Sequence, residues 1–342
     1  MQRMENSLSR RNGIPCGWLA LQLATSILLI FSLLLPAAQV SALENVTLAI
    51  PNKSFQQTTF SFAQDSGYMR EEGLDLKMVF IEPTPSVQAL VGGSVQFTGA
   101  GTSALIAITR AAAPLKVVLA LNDRVHHWLY TRPEITDASG LKGKKIATTG
   151  VASIATFMLK EILSKHGFDA SRDVFYIDVG AGNQLQALVA KAVDASVLFP
   201  EQRYAGLDSG MKEMFYFGNE VKNSWGTVAT SDRLIKEQPK LVTGYLKAAL
   251  KALRRFRQDK ATTVAAVNKF SGLDRNLAGR MYDDLIGTFT ANGTVDVETQ
   301  RNDLALVRQV LGVKETIPVE RAYDFSLASE ADRQLNQAGW RP

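Results

Sequence analysis

The 342-residue sequence contains one cysteine, Cys16, and three histidines, His126, His127 and His166. A single thiol excludes a disulfide-stapled fold and any multi-thiolate metal site. Adjacent His126 and His127 point to opposite faces of a strand, so they do not grip one ion together. His166, followed by Gly167, reads as the last residue of a helix. The fingerprints GxSxG, HExxH, the P-loop and the dinucleotide loop are absent. No catalytic residue, metal or cofactor is therefore expected. Charge of one sign is also scarce. The net value is +5, but Arg3, Arg10 and Arg11 lie in the first eleven positions against Glu5 alone, which leaves 35 basic and 32 acidic residues beyond them. That near balance gives no basis for nucleic-acid binding. The basic cluster Arg254, Arg255 and Arg257 reads as a solvated helix end, where cations suit the dipole.

What is present begins with an uncharged apolar run over 18–35, preceded by Arg10 and Arg11 and followed by Pro36. Val40, Ser41 and Ala42 then supply small or modest side chains at a cleavage position after Ala42. This order reads as a secretory signal peptide over 1–42. An uncleaved membrane anchor is the alternative, since the run is just long enough to span a bilayer. Cleavage near Ala42 leaves a chain without cysteine, which removes a thiol nucleophile as well.

Beyond residue 42, strands are expected over 46–51, 74–81, 95–98 and 115–121. Helices are expected over 54–72, 87–91 and 103–112. Strands alternating with helices imply an α/β fold with mostly parallel sheets flanked by helices. A repeat sharpens this: Gln88-Ala89-Leu90-Val91 recurs as Gln186-Ala187-Leu188-Val189, an offset of 98. The same offset places Leu48-Ala49 on Ile146-Ala147. Two lobes follow, the first from 43–124 plus 229–342 and the second from 125–228, joined by two crossings. The segment over 122–140 reads as one connection, and 225–230 as the second. Further helices are expected over 240–259, 261–270, 275–286 and 297–311.

Small residues gather where expected strands give way to helices: Gly99, Ala100, Gly101, Thr102 and Ser103 in one half, Gly150, Val151, Ala152, Ser153 and Ile154 in the other. Helix N-terminal amides lack intrahelical partners and carry the positive dipole end, so such loops suit a carboxylate or sulfonate without needing an arginine. Plain N-capping by Ser or Thr is the competing reading for each loop. Ser54, Phe55 and Gln56 follow the first strand, with Phe55 either a flat contact or a core residue. Glu201 after Pro200 either accepts a hydrogen bond from a ligand or opens a helix. Trp225 either closes over a ligand or is structural.

The segments 51–79, 87–118 and 140–150 resemble the solute-binding proteins of nitrate/sulfonate/taurine-type ABC importers, and the resemblance runs over 46–272. It implies a two-lobed periplasmic binding protein (type II) fold with hinge closure and a monomeric, periplasmic chain. It also implies a small anionic or polar organic solute and an ABC permease and ATPase complex in the inner membrane as partners. Cleft-lining roles carry over to Ser54–Gln56, Gly99–Ser103 and Gly150–Ile154, and to Glu201 and Trp225. One departure is Gln96, where the family has an acid; the second half keeps Asp194. Thiamine-pyrimidine synthase-like enzymes share the pattern, but they use a cysteine-rich motif that this chain lacks. A membrane-tethered ligand sensor is the other alternative, should 18–35 remain attached.

Overall fold

The computed structural model describes residues 42–180 and 182–342, and the expected export segment, Cys16 included, lies outside them. Among the described residues no helix is long and apolar enough to cross a membrane. Ten strands follow in order: β1 (Glu44–Ile50), β2 (Leu74–Phe80), β3 (Phe97–Thr98), β4 (Leu115–Asn122), β5 (Trp128–Thr131), β6 (Lys144–Thr148), β7 (Val174–Asp178), β8 (Ala195–Leu198), β9 (Lys212–Tyr216) and β10 (Trp225–Ser231). They build two five-stranded sheets, β2-β1-β3-β10-β4 and β7-β6-β8-β5-β9. The fold is therefore α/β, with two mostly parallel sheets flanked by helices. In each sheet the antiparallel member, β10 or β5, is the first strand after a crossing.

The repeat is structural down to single hydrogen bonds. Leu48 pairs with Phe97 and Ala49 with Thr98; Ile146 pairs with Ala195 and Ala147 with Ser196, each partner 98 residues on. Thr98 meets Ser86 through their hydroxyls at 2.9 Å, while the Ser196 hydroxyl donates to the Gln184 carbonyl at 3.0 Å. The turn after each repeated helix has a positive φ at matching positions, Gly93 (79°) and Lys191 (61°). Gln96 and Asp194 also do the same work. Gln96 Oε1 accepts the Thr47 amide at 2.8 Å, and Asp194 Oδ2 accepts the Lys145 amide at 2.9 Å.

Three expectations need correction. The helix expected over 54–72 is two, Thr58–Asp65 and Tyr68–Glu71, because Gly67 between them takes φ 79°. The segment 122–140 is not only a connection, since it contains β5, whose buried Trp128, Leu129 and Tyr130 carry no alternation to betray it. The segment 225–230 is a strand of the first sheet, so the chain recrosses before Trp225 rather than at 228/229.

C-terminal helices pack on the first lobe. Helix Pro239–Gln258 lays Tyr245 flat on Phe97, with ring centroids 3.8 Å apart. Its basic end is engaged in ion pairs: Arg254 reaches Asp332 at 2.7 Å and Arg255 reaches Asp259 at 2.9 Å, while Phe256, the next residue, is buried. The spacing of these residues puts Phe256 on the apolar face and leaves the arginines outside it.

Candidate functional site

Parallel strands deliver their C-terminal ends, and the loops after them, to one edge of each sheet, which is where open α/β sheets bind ligands. In the first lobe these loops follow β1 and β3. Ser54 is half-buried, and its carbonyl accepts the Thr58 amide at 3.2 Å, so it opens the turn into helix Thr58–Asp65. Phe55 is core rather than a cleft contact: it is fully buried, 5.5 Å from the Phe256 ring and 5.9 Å from Phe289. Gln56 is also buried, with its Nε2 2.7 Å from His126 Nδ1.

The loop after β3 meets its neighbours closely. A Cβ on Gly101 would stand 2.0 Å from Thr227 Oγ1 and 2.7 Å from its carbonyl oxygen, so that position admits no side chain, whereas one on Gly99 would stand 2.7 Å from the Gln57 amide group and require it to move. Ala100 is buried, its amide donating to Thr98 Oγ1 at 3.2 Å. Helix Gly101–Ala111 then starts without any side-chain cap. Its first amides, at Gly101, Thr102 and Ser103, have no partners within the helix.

The other small-residue loop, after β6 in the second lobe, is closed on itself. Ser153 Oγ accepts the Thr156 amide at 3.3 Å, and Thr156 Oγ1 donates to the Gly150 carbonyl at 2.7 Å. Ser153 is thus an N-cap of helix Ile154–Lys165, while Val151 and Ala152 are exposed at the loop tip. The two loops that look alike in sequence differ here: the first has no side-chain cap, whereas in the second Ser153 caps one amide, that of Thr156.

Glu201 opens helix Pro200–Asp208. It is half-buried, and burial raises its carboxyl above the usual range. Phe199, just before it, lies 4.8 Å from the His127 ring, which in turn stands edge-on to Trp225 at 4.7 Å. This aromatic contact joins the β8 loop to both crossings.

His126 and His127 lie at the first crossing, between β4 and β5. Both are fully buried, and burial lowers His126 to about 3 and His127 to about 4, so both imidazoles are neutral at neutral pH. His126 is held between Gln56 and the Thr288 hydroxyl, each at 2.7 Å, whereas His127 faces Phe199, Phe217 and Trp225. They point apart, as their adjacency requires.

Reasoning from the sequence missed four buried polar groups around these loops: Gln57 Oε1, Asn122 Oδ1, His127 Nδ1 and Gln184 Nε2 have no hydrogen-bond partner. An unpaired buried polar group is costly, and such groups concentrate at functional sites. The tandem Gln56-Gln57 was the one available signal, because two amides in a turn leading to a helix exceed what capping needs.

Thr102 and Ile154, one from each loop-borne helix, meet with Trp225 around a recess of about 20 Å³. That is room for one water molecule. Asp303 of helix Val297–Leu311 closes its floor. This carboxylate is fully buried and accepts Asn223 Nδ2 (2.9 Å), the Ser224 amide (3.0 Å) and hydroxyl (2.5 Å), and the Tyr323 hydroxyl (2.9 Å). Burial pushes it up to about 6 despite those donors. The second crossing is thereby tied to helix Val297–Leu311.

A family model described as "NMT1/THI5 like" matches residues 54–261, a span that takes in both crossings and every loop above. The chain belongs to the NMT1/THI5-like family. This NMT1/THI5-like protein is similar in structure to the periplasmic sulfonate-binding protein SsuA of Methylobacillus flagellatus KT, with a TM-score of 0.74 at 17% identity, covering 88% of this chain and 97% of that one. It is similar to the periplasmic nitrate-binding protein NrtA of Synechocystis PCC 6803, with a TM-score of 0.65 at 13% identity and coverage of 86% and 89%. The desulfurization enzyme DszB also shares the fold, with a TM-score of 0.62 at 16% identity and coverage of 86% and 99%. No curated protein matches the sequence. At these identities the likeness extends to the fold, and most of the neighbours are solute-binding proteins.

Proposed function

We propose that this NMT1/THI5-like protein is the exported solute-binding component of an ABC importer. It captures a small organic anion, a sulfonate, carboxylate or related solute, between its lobes in the periplasm. It then presents the closed form, as a monomer, to a permease and ATPase complex in the inner membrane. The observation that carries this reading is the uncapped start of helix Gly101–Ala111 facing the second lobe's helix Ile154–Lys165 across the recess beside Trp225. Open amides at a helix start receive negative charge without a cation. Ser54, Thr102, Ser103, Ile154, Glu201 and Trp225 are the contacts assigned to the solute, joined by Gln57 and His127. Two crossings allow one lobe to rotate against the other, and a solute that touches both lobes favours the closed arrangement by its differential affinity.

Tryptophan fluorescence tests the reading, because Trp225 borders the recess. Titration with alkanesulfonates, carboxylates or nitrate is expected to give a saturable change in emission that Trp225→Phe largely removes. No change with any of them would count against capture at this place. An enzymatic reading draws on the DszB-like fold and on the unpaired, neutral His127. Mass spectrometry of the titrated sample separates the two, since a binding protein returns its solute unaltered.

A further inference from the structure

The lobes also meet away from the recess, through side chains that the solute site does not use. Helix Pro200–Asp208 of the second lobe faces helix Arg275–Leu285, which packs on the first. Arg203 is fixed on its own lobe. Its guanidinium lies 5.1 Å from the Trp128 ring and 5.2 Å from the Tyr204 ring, and its Nε donates to Glu213 at 3.1 Å. Held this way, its outer nitrogen donates across the lobe boundary to Asp284. The Tyr204 hydroxyl donates to the same Asp284 oxygen at 2.5 Å. Arg280, one turn before Asp284, also lies over the Tyr204 ring at 4.4 Å and pairs with Asp208 at 3.3 Å.

Isolated exposed ion pairs contribute little. Here the arginine is 17% exposed and already ordered by two rings and Glu213, so little side-chain freedom remains to be lost on pairing. Asp284 itself is exposed, but its oxygen receives a charged and a hydroxyl donor together, and hydrogen bonds to an ionised acceptor are the stronger class.

Position gives the contact its consequence. Glu201 and Tyr204 are three residues apart on one helix, so they share a face one turn from each other. Asp284 stands just before the turn Ile286–Thr288, whose Thr288 holds His126 of the first crossing. We propose that Asp284 is a positioning residue: through Arg203 and Tyr204 it fixes the start of helix Pro200–Asp208 against the first lobe and thereby sets how far the cleft is closed. The description of that helix start as a solute contact rests on the function proposed above; the lobe-to-lobe contact does not.

The test therefore needs no solute. Val91 and Val189 occupy matching helix ends, one per lobe, and are 49% and 44% exposed. Spin labels on Val91→Cys and Val189→Cys, in the full chain carrying Cys16→Ser, report the distance between lobes by pulsed electron paramagnetic resonance. The parent is expected to give one predominant short distance. Asp284→Ala is expected to add a longer population, with the closed-to-open ratio falling about tenfold, or about 1.4 kcal/mol. Asp284→Glu should restore the short distance, and high salt should move the parent toward the longer one. If Asp284→Ala does not fold, Tyr204→Phe and the salt titration carry the test. Unchanged distance distributions in a folded Asp284→Ala protein, or in Tyr204→Phe together with an absent salt response, would overturn the proposal while leaving solute capture untouched.

Discussion

Asp303 and the two crossing histidines pull the pH dependence of stability in opposite directions. The histidines are lowered by burial to about 3 and 4, so the unfolded chain binds protons that the folded chain refuses as pH falls below 6.5. Their contribution is complete above that value and is lost below it, by about 2 kcal/mol each at pH 5. Asp303 is raised from 3.8 to about 6, so the folded chain takes its proton first, and stability rises as pH falls through 6. That gain is about 1 kcal/mol between pH 7 and 5. The sum favours the histidines. Denaturant melts are expected to show stability falling from pH 6.5 to 5, and falling more steeply in Asp303→Asn, which lacks the opposing carboxylate. A shallower fall in the variant would refute this assignment. None of these three groups was legible in the sequence as a buried titrating residue. The histidines were readable only as facing apart, and Asp303 is one acid in a helix whose charged residues are otherwise mostly on the surface. Burial of a single polar residue depends on what folds over it, and here that is the second crossing.

At the scale of elements, the repeat was the most legible feature because it is written twice. Matching register in β1–β3 and β6–β8 shows that the offset of 98 reflects two copies of one strand–helix–strand unit. The exchange of Gln96 for an acid, read as a departure from the family, leaves the role intact: an acceptor for the amide of the neighbouring strand. Removing it in Gln96→Leu should lower stability by about 1–2 kcal/mol, since the Thr47 amide loses its partner. Asp194→Leu should cost more, because Asp194 also pairs with Arg132. Urea midpoints at constant slope would measure both. Equal losses would mean that the ion pair adds nothing to the second lobe. Strands β5, β9 and β10 were not legible, because β5 is short and fully buried, and β9 and β10 flank a crossing without a clean alternation of buried and exposed residues. Loop chemistry was only half legible. Gly99–Ser103 and Gly150–Ile154 look alike as strings of small residues, but Ser153 sits where it caps its own helix.

At the scale of the whole molecule, two similar lobes share two crossings, and the crossings carry the buried polar groups. Gln56, His126 and Thr288 form a hydrogen-bonded chain at the first crossing, and Asp303 holds Asn223 and Ser224 at the second. Directional bonds at the pivots, with open amides and unpaired polar atoms at the loops, suit a protein whose working motion is closure around a ligand. Sequence reasoning reached the α/β fold with its two mostly parallel sheets through the repeat and the resemblance, and the cleft between them belongs to the proposed function. The contacts that hold the lobes together were beyond it, since Arg203 and Asp284 are 81 residues apart and belong to no motif. Calorimetric titration of the full chain against sulfonates, carboxylates and nitrate tests the central claim most directly. The account predicts one solute bound per chain, with a negative heat-capacity change as the lobes bury surface around it. A folded protein that gives no binding heat at any temperature with any member of that series would contradict it.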